Sequence, residues 1–404
     1  MRRPTSFQPE LPLWFDAKGA KQPRAARLVA VGSSAIRVAY TVEQCWHDAP
    51  GGTAIAALHI ARELAQDPDL ADEVDLRLVA GKHPVPPDLI FRPVGPVAML
   101  PLSRPLLYEA WTRLNWPKVE SVTGAIDVAH ATGLIPCATS SPLVVTVHDL
   151  AFVHSPEKFS KHGARLMARS LDVARSRAER VLCPSLATMD DCAAHGFRDE
   201  QLRLVPLGVD AAAATRREVD EARLRHDLPE NFVLFVGTLE PRKNLRRLVA
   251  AMGMLNENGM EVPLVVAGAG EWGAVRGEID GDRRTSAVDV RFLGAVSSSD
   301  LRGLYASAQV FAYPSEREGF GLPIAEAMAQ GTAVVTSRGT STEEVAGDAA
   351  VLVDPFDVAD IARGVAEALD RGDELAAPSR HRAGQLSWTQ SAAATLSVYR
   401  ELCL

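Results

Sequence analysis

The sequence predicts an α/β protein of two doubly wound, Rossmann-like domains facing across a cleft, and three observations predict it. Short apolar runs bounded by turn residues alternate with longer amphipathic stretches in both halves, the pattern of parallel strands covered by helices on both faces. The chain has 404 residues, too many for one ordinary core and enough for two domains of roughly 200 residues each. Midway, a polar, alanine-rich stretch at 208–230 (GVDAAAATRREVDEARLRHDLPE) interrupts the alternation and reads as the connection between the domains.

Residues 1–26 mix charge, proline and isolated aromatics without a continuous apolar run, so they read as a loose N-terminal tail and not as a signal peptide or membrane span. The first domain, 27–210, opens on a strand at 27–32 (RLVAVG), which 36–42 (IRVAYTV) extends or follows. Gly51-Gly52-Thr53 then opens an amphipathic helix, AIAALHIARELAQ. Further strands fit 74–80, 96–101, 126–131, 143–148, 179–184 and 201–207, with helices near 103–114, 158–178 and 185–195. A linker at 211–230 leads to the second domain, 231–385. There strands fit 232–237, 262–268, 288–296, 308–313, 332–336 and 349–353. The last segment, 386–404, reads as a helix capped by Ser387 that packs back toward the first domain.

Hydrophobic content of 47% and charged content of 23% are those of a globular protein. Five scattered cysteines lack metal-ligand spacing, which argues for a reducing, cytoplasmic setting and against a disulfide framework or zinc site. The net charge is −8, and the whole excess falls after residue 210; an acidic chain without a basic aromatic surface is a poor nucleic-acid binder. One local exception is a basic stripe, Lys158, Lys161, Arg165 and Arg169 with His154 and His162 nearby. It is either a solvated helix face or a contact for an anionic acceptor or a membrane surface.

The unusual residues concentrate in four loops at strand ends, where ligands of doubly wound sheets bind. The most informative runs from 314 to 331, PSEREGFGLPIAEAMAQG. Its glycines at 319 and 321 allow close approach of a ligand, a helix starting near Pro323 and ending at Gly331 presents free amides suited to phosphate, and Glu318 and Glu326 flank the turn as acceptors for hydroxyls. Glu318 is expected at the mouth of the site. A second loop, 237–244 (GTLEPRKN), places Arg242 and Lys243 where they can neutralise a diphosphate. Gly51 and Gly52 form the third loop. The fourth is Val147-His148-Asp149-Leu150, with His148 at the edge of the sheet. A surface helix with solvated charges would explain any one loop; a nucleoside diphosphate carrying a sugar, held in a cleft, explains all four.

The segments VGTLEPRKNLRRLV and SEREGFGLPIAEAMAQGTAVVTS, with VTVHDL and VPLGVD in the first half, resemble retaining GT-B glycosyltransferases of family 4 over roughly residues 27–400. The resemblance implies hexosyl transfer from a nucleotide-sugar co-substrate, GDP-mannose first among the candidates, to a hydroxyl of a glycan or lipid-linked acceptor, without a metal or other cofactor. It implies that Glu318 reads the donor sugar beside the amides of Gly319, Phe320 and Gly321. Leu322 would lie at the diphosphate, Glu326 at the ribose, and Lys243 with Arg242 at the leaving group. His148 would sit near the sugar, Gly51 and Gly52 in the first-domain glycine loop, and Phe292 and Gly294 at the nucleobase. Many members carry arginine where this chain has Thr238, so either Arg242 supplies that charge or the phosphate grip is weaker. Asp67-Pro68-Asp69 follows a helix and reads as a turn, not a metal site. A nucleotide-sugar epimerase or an inactive sugar-nucleotide-binding protein would share the fold. Peripheral contact with the inner face of a membrane fits the basic stripe.

Overall fold

The structure, a computed structural model, describes residues 35–47, 50–156, 160–238, 240–268 and 288–403. The first half carries strands β1 (Ile36–Thr41), β2 (Val74–Ala80), β3 (Val97–Met99), β4 (Val128–Ala131), β5 (Leu143–Thr146), β6 (Arg180–Cys183) and β7 (Leu202–Leu204). Its main helices are α1 (Gly52–Gln66), α2 (Arg104–Leu114), α3 (Lys161–Arg177) and α4 (Leu186–Ala194). The strands form one sheet in the order β3-β2-β1-β4-β5-β6-β7, every pairing parallel. Strands covered on both faces read as largely apolar runs, and accordingly β4 is wholly buried and β1 is buried from Val38 to Thr41. The expected strand at 27–32 lies outside the described residues, as does Lys158 of the basic stripe; the run after it supplies β1, between β2 and β4.

The connection expected at 211–230 is more ordered than its composition implies. It contains α5 (Arg216–Arg225), started by a capping box between Thr215 and Glu218. The second half then carries β8 (Val233–Val236), β9 (Leu264–Ala267), β10 (Val290–Gly294), β11 (Val310–Tyr313), β12 (Ala333–Ser337) and β13 (Val351–Val353). With them go helices α6 (Leu245–Glu257), α7 (Ser298–Ser307), α8 (Leu322–Gln330), α9 (Ser341–Ala346), α10 (Val358–Asp370), α11 (Gly372–Ala383) and α12 (Trp388–Cys403). The six strands run parallel in the order β10-β9-β8-β11-β12-β13. Helix α5 docks on α7 through Arg302 to Glu218, 2.5 Å, and through Arg225 and His226 to the buried Asp300.

Helix α12 returns to the first domain, as expected. One stripe, Trp388, Ala392, Thr395, Leu396 and Tyr399, is buried at the three-to-four-residue spacing of an apolar helix face. Trp388 stacks on His59 of α1 at 4.7 Å, Tyr399 Oη bonds His130 Nδ1 at 2.6 Å, and Glu401 pairs with Arg180 and Arg203. The two domains are therefore joined at α5 and again at α12.

Candidate active site

In each sheet the strand order reverses at one point, between β1 and β4 and between β8 and β11. Connections leave such a point in opposite directions, so a crevice opens at the carboxyl ends of the two strands. In the second sheet the loops after β8 and β11 bring charged residues to this crevice. Arg242 and Lys243 occupy a single helical turn, Pro241–Lys243. Asn244 follows it with a positive φ of 64°, and its buried Nδ2 donates to the carbonyls of Pro314, 2.8 Å, and Pro355, 2.6 Å. That side chain ties the loop after β8 to the loop after β11.

The tie brings Lys243, Arg242 and Glu318 together. Lys243 Nζ donates to both carboxylate oxygens of Glu318 at 2.7 and 2.9 Å, and Arg242 Nη1 donates at 3.0 Å. Tyr313 Oη and Ser315 Oγ donate to the same carboxylate at 3.0 and 2.7 Å, and Lys243 also reaches Tyr313 Oη at 2.6 Å. Glu318 is not at the mouth of the site: its side chain is 9% exposed, because two cations and two hydroxyls draw it inward. Burial pushes its pKa up, but the charges of Lys243 and Arg242 outweigh this, and the carboxyl is held below its ordinary value. Arg242 is shared, since its Nε donates to Glu240 Oε2 at 2.7 Å while Thr238 donates to the other oxygen of Glu240 at 2.6 Å. Thr238 therefore orients the anion that holds Arg242.

Helix α8 begins at Leu322, with Gly321 as its N-cap at φ 111°, a conformation other residues avoid, and Pro323 in its first turn. Phe320 is buried beneath the turn. Glu326 sits one turn in and accepts from Tyr305 Oη at 2.9 Å. Burial raises its pKa, and the tyrosine only partly offsets this. Phe292 and Gly294 lie on the edge strand β10, two strands from β8. Gly294 marks a register shift there, and its carbonyl accepts from Gly268 N–H at 2.7 Å.

The first-domain residues meet this turn from the other side. Gly319 has no room for a side chain, since a Cβ would stand 1.8 Å from the carbonyl oxygen of His148. Its own carbonyl accepts from Ser185 Oγ at 2.6 Å and Thr188 Oγ1 at 3.1 Å. Glu344 of α9 accepts from the amides of Leu186 and Ala187 at 2.7 and 2.8 Å, capping α4 from the opposite domain. Arg317 pairs with Asp191 of α4 at 2.6 Å. Gly52 opens α1 facing Leu322, to which a Cβ would approach within 3.3 Å, with the exposed Gly51 as the N-cap before it. His148 is in hydrogen-bond contact with the carbonyl of Thr132 at 3.1 Å, and burial lowers its pKa, so the ring is neutral near pH 7 and Nε2–H is the donor.

Tyr313, Ser315, Tyr305, Asn244, Ser185 and Glu344 were not singled out in the sequence. A hydroxyl at the carboxyl end of the apolar strand VFAY is the one local signal among them, marking Tyr313. The basic stripe divides: Arg169 and His162 of α3 face Glu109 of α2 at 2.7 and 3.5 Å, while Lys161 and Arg165 are exposed. Asp67-Pro68-Asp69 is a turn in which Asp69 N–H donates to Asp67 Oδ1 at 2.9 Å.

Residues 50–213 match the family described as Glycosyltransferase Family 4, and residues 216–385 match Glycosyl transferases group 1. The O-antigen chain mannosyltransferase B of Escherichia coli is 35% identical over 277 residues, 64% of this chain and 70% of that protein. A D-inositol 3-phosphate glycosyltransferase of Salinispora arenicola is 29% identical over 404 residues, 87% of each. Among solved structures, Anabaena HepE in complex with UDP and glucose aligns with a TM-score of 0.65 at 19% identity over 91% of this chain and all of that one, a likeness of fold. Two parallel sheets with their crevices facing, a cation pair and a glycine turn between them, and these matches across both halves lead to one assignment: the chain is a glycosyltransferase of family 4, with the GT-B fold.

Proposed function

We propose that this glycosyltransferase moves a hexose, best read as mannose from GDP-mannose, to a hydroxyl of a glycan acceptor with retention of anomeric configuration. The observation that carries the reading is the buried cluster of Lys243, Arg242 and Glu318 at the switch point of the second sheet. The mannosyl assignment is supported by the Escherichia coli relative, and a nucleotide-sugar donor by the UDP held in HepE.

Breaking the sugar–phosphate bond develops positive charge on the sugar and negative charge on the departing diphosphate. Fixed cations aimed at the phosphates are then the largest single source of rate. Lys243 and Arg242 supply that charge together with the amides at the start of α8, so no metal is invoked. Glu318, positioned by Tyr313 and Ser315, presents a carboxylate to the sugar hydroxyls as the cations turn toward the phosphates. Glu326 takes the ribose hydroxyls, and Phe292 with Gly294 borders the base. Neutral His148 positions the sugar and is not the base; the leaving phosphate accepts the acceptor proton. Residues 27–210 form the acceptor domain and 231–385 the donor domain.

No helix among the described residues is long and apolar enough to cross a membrane. A peripheral contact is supported by the exposed Leu106 of α2 and the exposed Lys161 and Arg165 of α3, the helix packed against it through Glu109. Incubating the purified protein with GDP-, UDP- and dTDP-sugars tests the reading. Acceptor-dependent nucleotide release supports transfer, formation of a 2-epimer supports an epimerase, and binding without turnover supports an inactive binding protein.

A further inference from the structure

A cavity of about 200 Å³ opens at the carboxyl ends of β1, β4 and β5. Thr41 ends β1 at its wall, Thr132 follows β4, and His148 and Asp149 follow β5. The cavity adjoins the donor side. The carbonyl of His148 abuts Gly319, and Thr53, also in the wall, follows the Gly52 that faces Leu322. A group seated there lies next to the turn that holds the donor sugar. At ~30 Å³ for each water displaced, the volume takes one sugar ring.

The wall has a definite chemistry. Tyr108, Trp111, Leu134 and Met167 make one side apolar. The indole N–H of Trp111 is taken by the carbonyl of Pro117 at 2.9 Å, so the residue has no donor left to offer. The same wall carries polar groups from Glu43, Gln44, Thr132 and Asp149. Glu43 is 2% exposed and fixed by Gly81 N–H at 2.6 Å and His83 Nε2 at 2.9 Å. Among the described residues no lysine or arginine lines the cavity, while two carboxylates do; its two histidines, His47 and His148, are engaged by Tyr108 Oη at 3.1 Å and the Thr132 carbonyl at 3.1 Å. A pyranose, with apolar C–H faces and hydroxyl edges, matches aromatic and carboxylate surfaces. A phosphate needs the cationic forks and ammonium groups that this wall lacks, and it would meet two anions.

We infer that this cavity binds the acceptor, and that it admits an uncharged glycosyl unit while rejecting phosphorylated sugars and phosphorylated cyclitols. The inference rests on the transferase reading above and narrows its acceptor. Glu43, Asp149 and Met167 are then specificity determinants, the first two by the sign of their charge and the third by leaving its side of the wall neutral.

The test uses the full chain and whichever nucleotide sugar it turns over. Nucleotide release is measured with matched pairs: methyl α-mannopyranoside against mannose 6-phosphate, and myo-inositol against inositol 3-phosphate. In each pair the uncharged member is expected to give at least tenfold higher kcat/KM. Met167→Lys, which adds a cation to the wall, should narrow that ratio at least fivefold. The ratio is read within one preparation, so a general loss of folding or donor turnover does not move it. Equal or better use of the phosphorylated member by the wild type overturns the inference and leaves transfer intact, as does a ratio that Met167→Lys does not move. Absence of nucleotide release from every donor, with and without acceptor, overturns the transferase reading and the acceptor assignment with it.

Discussion

Lys243 Nζ lies 2.7 and 2.9 Å from the two carboxylate oxygens of Glu318, 75 residues away in sequence and buried beside it. The two act as one unit. Lys243→Ala and Glu318→Ala should each lower kcat/KM at least tenfold, roughly 1.4 kcal/mol. The double variant should lose much less than the product of the two, as steady-state kinetics on the four proteins will read.

Each single change also weakens the buried cluster, though Arg242, Tyr313 and Ser315 still hold Glu318 and Tyr313 still holds Lys243, so the melting temperature should fall by less than the loss of about 3–5 kcal/mol for a buried charge left without any partner. The pH dependence has a fixed sign. Glu318 is held below its ordinary pKa in the folded state, so its contribution to stability is full above the unfolded carboxyl pKa and is lost as pH falls through the folded one. Acid melts of wild type and Glu318→Gln should converge as that happens.

Glu326 behaves in the opposite sense. Burial raises its pKa, so it takes up a proton at higher pH than an ordinary glutamate and stops accepting from two hydroxyls at once. Donor affinity, measured by titration calorimetry, should therefore fall as pH is lowered through that raised value. In Glu326→Gln the affinity should be weaker at neutral pH and nearly flat with pH.

Gly319 sits where the domains touch. Gly319→Ala places a Cβ 1.8 Å from the His148 carbonyl, which the backbone can relieve only by moving the turn away from Ser185 and Thr188. Turnover should drop at least tenfold, and small-angle scattering should show a larger radius of gyration with both domains still folded.

The central strands of the second sheet were legible because they are buried parallel strands and therefore unbroken apolar runs: VLFV, LVVA and VFAY stand out from their surroundings. Arg242, Lys243, Glu318 and Glu326 were legible because they crowd strand ends beside glycines. The inward turn of Glu318 was not, since it depends on Tyr313 and Ser315 being brought under Lys243 by a second loop. Glu344 caps α4 from 157 residues away, and nothing around it in sequence marks a cap for a distant helix. The helix in the connection was hidden by composition: RREVDEARLR has little apolar surface, and ion pairs to α7 hold it.

His130 joins the first sheet to α12 through Tyr399 at 2.6 Å and contacts Thr146 at 2.8 Å. Burial lowers its pKa to about 3, so between that value and the ordinary 6.5 the unfolded chain binds the extra proton. Stability should rise with pH across that window. Tyr399→Phe should cost about 1 kcal/mol, read by urea unfolding monitored at α12.

The most direct measurement is transfer from GDP-mannose to methyl α-mannopyranoside by wild type and Lys243→Ala, with the product anomer read by NMR. The account predicts an α-linked product with the wild type and at least tenfold slower formation in the variant. No transfer from any nucleotide sugar, or a variant as fast as the wild type, would contradict it.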